Sequence, residues 1–317
     1  MSDLANKNKK EQDVHVGKEG WLFLVAGSNS VKDLYKTPSS FTDDHARRWA
    51  ELLNNRQARL SEMGCEYIHL PAPEKLTVMH NYFDGQIENL EGSPIHHLTK
   101  FYSASVPSLL NPLVFFDQQK EEYKLYWKTD THWSFWGCFS AYQLLCCELG
   151  LEPNANLVGY PYSEGEVLFD LASKLDEPYT ETARFYQLAQ SAERIGANVL
   201  VEFKERNEMI DEISLHVGSS VVYKNDSADT IDKKLILFGD SFAEYRPHLL
   251  TGMLAETFRE VHFIWNSSID FDYVEKVKPD IVVTELAERF MTRVPVDDLN
   301  IEEFAQQRID DFVAKAA

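Results

Sequence analysis

Apolar positions along the chain follow two rhythms that take turns. Trp21-Leu22-Phe23-Leu24, entered through Gly17-Lys18-Glu19-Gly20, reads as a turn feeding a short strand. Ala46, Trp49, Leu53 and Leu60 then mark one side of a helix. Thr42 is its cap, Asp43 and Asp44 its acidic first turn, and Gly64 its stop after Met63. Residues 65–70 read as a strand ended by Pro71 and Pro73, and Leu113-Val114-Phe115-Phe116 as another. Phe135, Phe139, Tyr142, Cys146 and Leu149 recur at intervals of 4, 3, 4 and 3, the stripe of a buried helix. Late in the chain, Leu235-Ile236-Leu237-Phe238 is a continuous apolar run, as in a strand buried on both faces of a parallel sheet. A helix over 245–256, strands over 261–265 and 281–284, and a last helix over 301–315 follow.

Strands alternating with helices predict an α/β fold with a parallel sheet. Residues 151–230 break that order, with a Tyr/Pro/Glu-rich loop, a helix around 181–195 and short strands at 199–203 and 221–223. The expected organisation is a loose polar tail over 1–14 and one domain over 15–317 carrying an insertion at about 151–230.

Charge narrows the functional classes. The 317 residues carry 31 Lys+Arg against 51 Asp+Glu, a formal charge of −20, which repels phosphate backbones and anionic lipid. No nucleic-acid partner is therefore expected. With 44% hydrophobic and 26% charged residues the chain reads as soluble and globular, and Trp133–Leu151 is too polar for a membrane span. The first residues hold no apolar run of a secretory signal, which gives a cytoplasmic expectation. Cys65, Cys138, Cys146 and Cys147 include no CxxC and read as reduced core thiols.

Two segments carry candidate chemistry. Gly239-Asp240-Ser241-Phe242 closes a buried strand, and in open α/β sheets ligands bind at the carboxyl ends of strands. A serine on such a turn, near a helix N-terminus, is exposed beside backbone N–H groups that hold an oxyanion; capping the following helix is its alternative role. Asp130-Thr131-His132 offers a carboxylate beside an imidazole, the usual acceptor of a serine proton. The same pair is half a metal site, but no further His, Asp or Glu stands at ligand spacing, so neither metal nor organic cofactor is expected. A core histidine beside Trp133 and Trp136 is the other alternative. The conjunction favours catalysis, because serine, histidine and aspartate all fall at loop ends of one sheet and triads are defined by geometry rather than chain order.

Lesser candidates follow. Asn266, after the 261–265 strand, is either an oxyanion donor or a turn residue. Glu285, Glu288 and Arg289 follow the last strand and form either a substrate contact or an internal ion pair. Trp127, Trp133, Trp136 and Trp265 either stack on sugar rings or pack the core. His69 and His80 are rim candidates, and His96-His97 reads as an exposed loop.

Five segments in order, from about residue 15 to 290, resemble the alginate O-acetyltransferase family, the SGNH-hydrolase-like domain of alginate acetylation proteins J and X. They are Gly17–Phe23, the strand ending near Pro71 with Lys75 behind it, Thr129-Asp130-Thr131-His132-Trp133-Ser134 with Gly137, Gly239–Phe242, and Glu285-x-x-Glu288-Arg289. The resemblance implies a flavodoxin-like α/β/α SGNH-hydrolase sandwich, permuted so that Asp-x-His precedes the serine. It implies Ser241 as nucleophile, His132 as general base and Asp130 as its orienting carboxylate. The Ser241 backbone and Asn266 are the oxyanion candidates, and Trp133, Lys75, Glu285 and Arg289 the substrate-binding candidates. The implied activity is O-acetylation of a polysaccharide or glycan precursor through an acyl-serine. An acetylesterase with the same triad and a non-catalytic glycan-binding subunit are the alternatives. The implied partners are a sugar or glycan acceptor and an acyl donor, whether an acetyl ester, a thioester or a membrane acyl-transfer protein. The resemblance also implies a periplasmic location if a leader precedes this sequence.

Overall fold

The computed structural model describes residues 13–246 and 248–316. Most of the expected tail, residues 1–12, lies outside the described residues. In chain order the strands are β1 (Val14–Val16), β2 (Leu22–Leu24), β3 (Glu66–Ala72), β4 (Tyr162–Val167), β5 (Glu181–Tyr186), β6 (Ala192–Ala197), β7 (Ser220–Asn225), β8 (Ile231–Gly239), β9 (Phe258–Trp265) and β10 (Ile281–Ala287). The helices are α1 (Asp43–Glu62), α2 (Lys75–Val78), α3 (Pro94–Tyr102), α4 (Leu113–Gln119), α5 (Phe135–Glu148), α6 (Val199–Arg206), α7 (Leu250–Ala255), α8 (Phe271–Val277) and α9 (Ile301–Ala316).

The main sheet has six strands in the order β3-β10-β8-β9-β7-β6. Its first four are mutually parallel. The apolar run Leu235–Phe238 lies fully buried in one of the two central positions, with Ile281–Val283 beside it. Helix α1 packs on β3, α7 on β9, and α5 on α7, which completes the α/β layering. Helix α1 starts where the sequence places it: the Thr42 hydroxyl accepts from the His45 N–H and the His45 ring returns to the Thr42 N–H.

The sheet is mixed rather than all parallel. β7 runs antiparallel to β9, and β6 antiparallel to β7. Both antiparallel strands come from the 151–230 stretch; β7 contains the strand expected at 221–223, whereas nothing in the sequence announces β6. The helix expected over 181–195 is instead β5, the turn after it and β6. In β5 only Ala183 and Tyr186 are buried, too few positions for a period to show. The strand expected at 199–203 is α6, started by the Asn198 side chain accepting from the Val201 N–H at 3.2 Å, with Leu200, Val201 and Lys204 buried at helical spacing. Leu113–Phe116 is also helical: Pro112 stands at its N-cap, Phe116 is buried and Val114 is exposed. A run of four apolar residues does not separate a strand from a helix by period alone. His96 and His97 sit on α3, half-buried, rather than in an open loop. Helix α7 begins only at Leu250, after a series of turns.

Gly137 lets α5 enter against the loop before it. A Cβ there would stand 2.1 Å from the Leu125 carbonyl oxygen, which already accepts the Ser134 N–H. Gly137→Ala should therefore lower stability by roughly 1–3 kcal/mol or more, the range of overpacked cores. Urea unfolding of the variant beside wild type reads this, and an unchanged midpoint would refute the close approach.

Candidate active site

The parallel strands deliver their carboxyl ends to one edge, and there the serine and the histidine meet. β8 ends at Gly239, and the chain turns at once, the Ala243 N–H returning to the Asp240 carbonyl at 3.2 Å. Phe242 is driven into the core edge-on to Trp133, with ring centroids 5.1 Å apart, which leaves Ser241 facing out. The Ser241 Oγ lies 2.8 Å from His132 Nε2. Asp130 Oδ1 accepts from His132 Nδ1 at 2.6 Å and from the His132 backbone N–H at 2.7 Å. With the Nδ1 proton directed to Asp130, Nε2 is free to accept from the serine hydroxyl. The Ser241 N–H donates to no acceptor among the described residues, so it is open to a ligand oxygen. No helix dipole reinforces it, since α7 starts nine residues further on.

Two carboxylates from the 151–230 stretch hold the histidine loop. Glu181 on β5 accepts from the Lys128 N–H at 3.1 Å, from the Thr129 N–H and hydroxyl at 2.9 and 2.8 Å, and from the Lys124 ammonium. Asp170 accepts from the Thr131 N–H and hydroxyl, both at 2.8 Å. Neither residue is singled out by sequence, because each acts on a loop some forty or fifty positions away. Asp130, His132 and Asp170 each bring one possible metal-ligand atom within 4.8 Å of the others. Their oxygens already accept hydrogen bonds from the histidine and Thr131, so the arrangement reads as a hydrogen-bonded loop rather than a cation cage.

Electrostatics suit proton transfer. Burial alone would lower the His132 pKa, but the Asp130 charge and hydrogen bond, with Asp170 behind, outweigh it and raise the value above the usual range. Burial would likewise raise Asp130, yet the adjacent imidazole takes it down to about 2. Lys75 is pushed down to about 7 by burial, partly offset by Asp130, Asp170 and Glu181.

The serine opens into a cavity of about 220 Å³. Trp127, Phe169 and Phe185 form its aromatic wall, Trp127 stacked on Phe169 at 5.5 Å; His248, edge-on to Phe185 at 5.1 Å, and Arg246 line it as well. Trp133 lines it too and donates its indole N–H to the Tyr126 hydroxyl at 3.1 Å. Val167, Phe185 and Tyr186 come from the β4–β5 hairpin, whose second strand falls within the helix expected over 181–195.

The other candidates lie elsewhere. Lys75 is buried beneath the site and donates to the carbonyls of Leu22 and Lys128 at 2.7 and 3.0 Å. Arg289 pairs with Glu74 at 2.6 Å and lies over the Phe242 ring. Glu285 is fully buried behind the serine turn. Asn266 accepts the Ser268 N–H at 2.9 Å, the turn role, and lines a second cleft with Trp265, Arg289 and Arg293 rather than the serine cavity. Trp136 packs on Tyr123, and His69 is enclosed against Trp49, with burial taking its pKa down to about 3.

A mixed sheet with a serine, a histidine and an aspartate hydrogen-bonded in series at the carboxyl ends of its parallel strands has the form of an SGNH hydrolase-like domain. Residues 14–273 match the family described as the SGNH hydrolase-like domain of acetyltransferase AlgX, and the chain belongs to that family. No curated protein sequence matches it. Among solved structures, the O-acetyltransferase domain of Pseudomonas putida AlgJ is similar at 14% identity and a TM-score of 0.59, over 94% of this chain and 99% of that one. Bacillus cereus PatB1 with a sulfonyl adduct aligns at 16% identity and 0.57, over 79% and 91%. Pseudomonas aeruginosa AlgX aligns at 14% and 0.51, over 92% of this chain and 65% of that one. Among the described residues no helix is long and apolar enough to cross a membrane.

Proposed function

We propose that this protein transfers an acetyl group to a carbohydrate hydroxyl through an acyl-serine at Ser241. The reading rests on the unbroken hydrogen-bond chain from Ser241 Oγ through His132 to Asp130, opening into an aromatic-walled cavity. His132 Nε2 takes the Ser241 proton as Oγ attacks the acyl carbonyl, whose oxygen develops negative charge beside the Ser241 N–H. Asp130 stabilises the imidazolium so formed. The proton then passes to the departing group, leaving acetyl-Ser241 and a neutral imidazole. A sugar hydroxyl gives its proton to His132 as it attacks the ester carbonyl, and collapse returns the proton to Ser241. The Trp127, Phe169 and Phe185 rings offer faces against which a pyranose can lie. The family match supports the acetyl group and favours the periplasmic expectation over the cytoplasmic one.

Incubation with an aryl acetate, followed by intact-mass spectrometry, should give a monoacetylated protein that discharges on adding an oligosaccharide, with acetylated sugar as product. Free acetate at the same rate with and without sugar would make the protein an esterase. No adduct and no aryl release would reduce it to a binding subunit.

A further inference from the structure

The serine turn is fastened to the neighbouring strand by two carboxyl groups that work in opposite directions. Glu285 is a side chain of β10, and its Oε2 accepts the backbone N–H of Asp240 at 3.0 Å. Asp240 belongs to the turn, and its Oδ2 accepts the backbone N–H of Ala287 on β10 at 2.8 Å. Its Oδ1 accepts the Phe242 N–H, also at 2.8 Å. The N–H groups on both sides of Ser241 are thus tied, and the Ser241 N–H between them stays open. Gly239 has an ordinary backbone conformation, so its role is room: a Cβ there would lie 3.1 Å from Glu285 Oε2.

The pair is chemically unusual. Glu285 has no exposed surface and Asp240 is 6% exposed. Glu285 Oε1 has no partner among the described residues if both groups are ionised. Two adjacent carboxyl groups at that depth hold one negative charge rather than two, so one proton stays on the pair. We infer that Glu285 is a positioning residue: its carboxyl group, sharing one proton with that of Asp240, fixes the backbone turn that presents Ser241. The inference rests on the acyl-serine reading of the site.

The surroundings agree. Burial first, then the Asp240 charge, raises Glu285 well above the usual range. Burial raises Asp240 as well. The groups facing the pair are Arg289 at the end of β10, His132 from the loop opposite, and Cys138 from α5. Arg289 and an imidazolium at His132 favour one negative charge on the pair. The Cys138 thiol is held neutral by burial and by that charge.

The test compares wild type, Glu285→Gln and Glu285→Ala by the rate of Ser241 acetylation from an aryl acetate and by melting temperature across pH. Glutamine keeps the acceptor for the Asp240 N–H and supplies a permanent donor to the Asp240 carboxylate. Its acetylation rate should stay within about threefold of wild type, whereas alanine should lose on the order of 10²-fold through misplacement of the nucleophile. A native glutamic acid that keeps its proton above the unfolded value of about 4.3 binds more protons than the unfolded chain. Wild-type stability should then fall relative to Glu285→Gln as pH rises from about 5 to 8.

Glutamine as slow as alanine, alanine as fast as wild type, or a melting difference flat with pH would each overturn the inference. If Glu285→Ala does not fold, the glutamine rate and its pH slope still decide. Failure of wild type to acetylate at all overturns the nucleophile assignment instead, while the melting slope reads the shared proton without substrate.

Discussion

Ser241→Ala should lower acetyl transfer by on the order of 10⁴–10⁶-fold, the scale seen when the nucleophile of a triad is removed. The loss should fall on kcat rather than on binding. The serine hydroxyl is a small part of a cavity whose walls are Trp127, Trp133, Phe169 and Phe185. The acyl-enzyme expected by mass in wild type should be absent, and oligosaccharide affinity measured by calorimetry should be unchanged. Tertiary structure should also hold, because the turn is fastened through Asp240 and Phe242 rather than through the Ser241 side chain. A variant that keeps even a tenth of the wild-type rate would remove Ser241 from the reaction. Discharge would then have to proceed by direct attack of the sugar on the donor.

Asp130→Asn should cost about 10⁴-fold in kcat, as loss of an orienting carboxylate does when the histidine tautomer is no longer held. The pH profile makes the prediction sharper. In wild type the Asp130 carboxylate outweighs burial and raises His132, and only the neutral imidazole accepts the Ser241 proton. The rate should therefore rise with pH through that elevated value and level off above it. Asparagine removes the charge but not the burial, so the balance reverses and the His132 pKa drops. The acid limb of kcat/KM in the variant should move to lower pH while its plateau falls. A limb that stays in place, or moves to higher pH, would mean that a group other than His132 titrates in the profile.

How much of this is legible in sequence depends on how locally each feature is encoded. The stripe of α5 and the cap of α1 are written within a few turns of chain, through Phe135, Phe139 and Tyr142 in one case and Thr42 in the other. The serine and the Asp-x-His segment are legible as loop ends because buried strands and helix starts next to them are strongly marked. That the two loops meet at 2.8 Å is a property of strand order, which the sequence does not spell. The antiparallel edge is illegible for a related reason. β6 exposes Glu193, Arg194 and Ile195 in succession, so no alternation marks it, and it becomes a strand by pairing with β7. The misplaced roles of Lys75 and Arg289 have another origin. Charged residues beside a catalytic motif look reactive, yet here they are enclosed and matched to carbonyls and to Glu74.

The β4–β5 hairpin leaves reaction and recognition on separately written lengths of chain. In the proposed reaction the turn after β8 and the loop before α5 carry the atoms that exchange protons, whereas Phe185 and Tyr186 stand on a two-stranded ribbon outside the main sheet. Under that reading, changes along the ribbon should alter what is admitted to the serine without touching the groups beneath, as long as Glu181 keeps its grip on residues 128 and 129. The visor can then be recut for another acceptor while the engine is left alone.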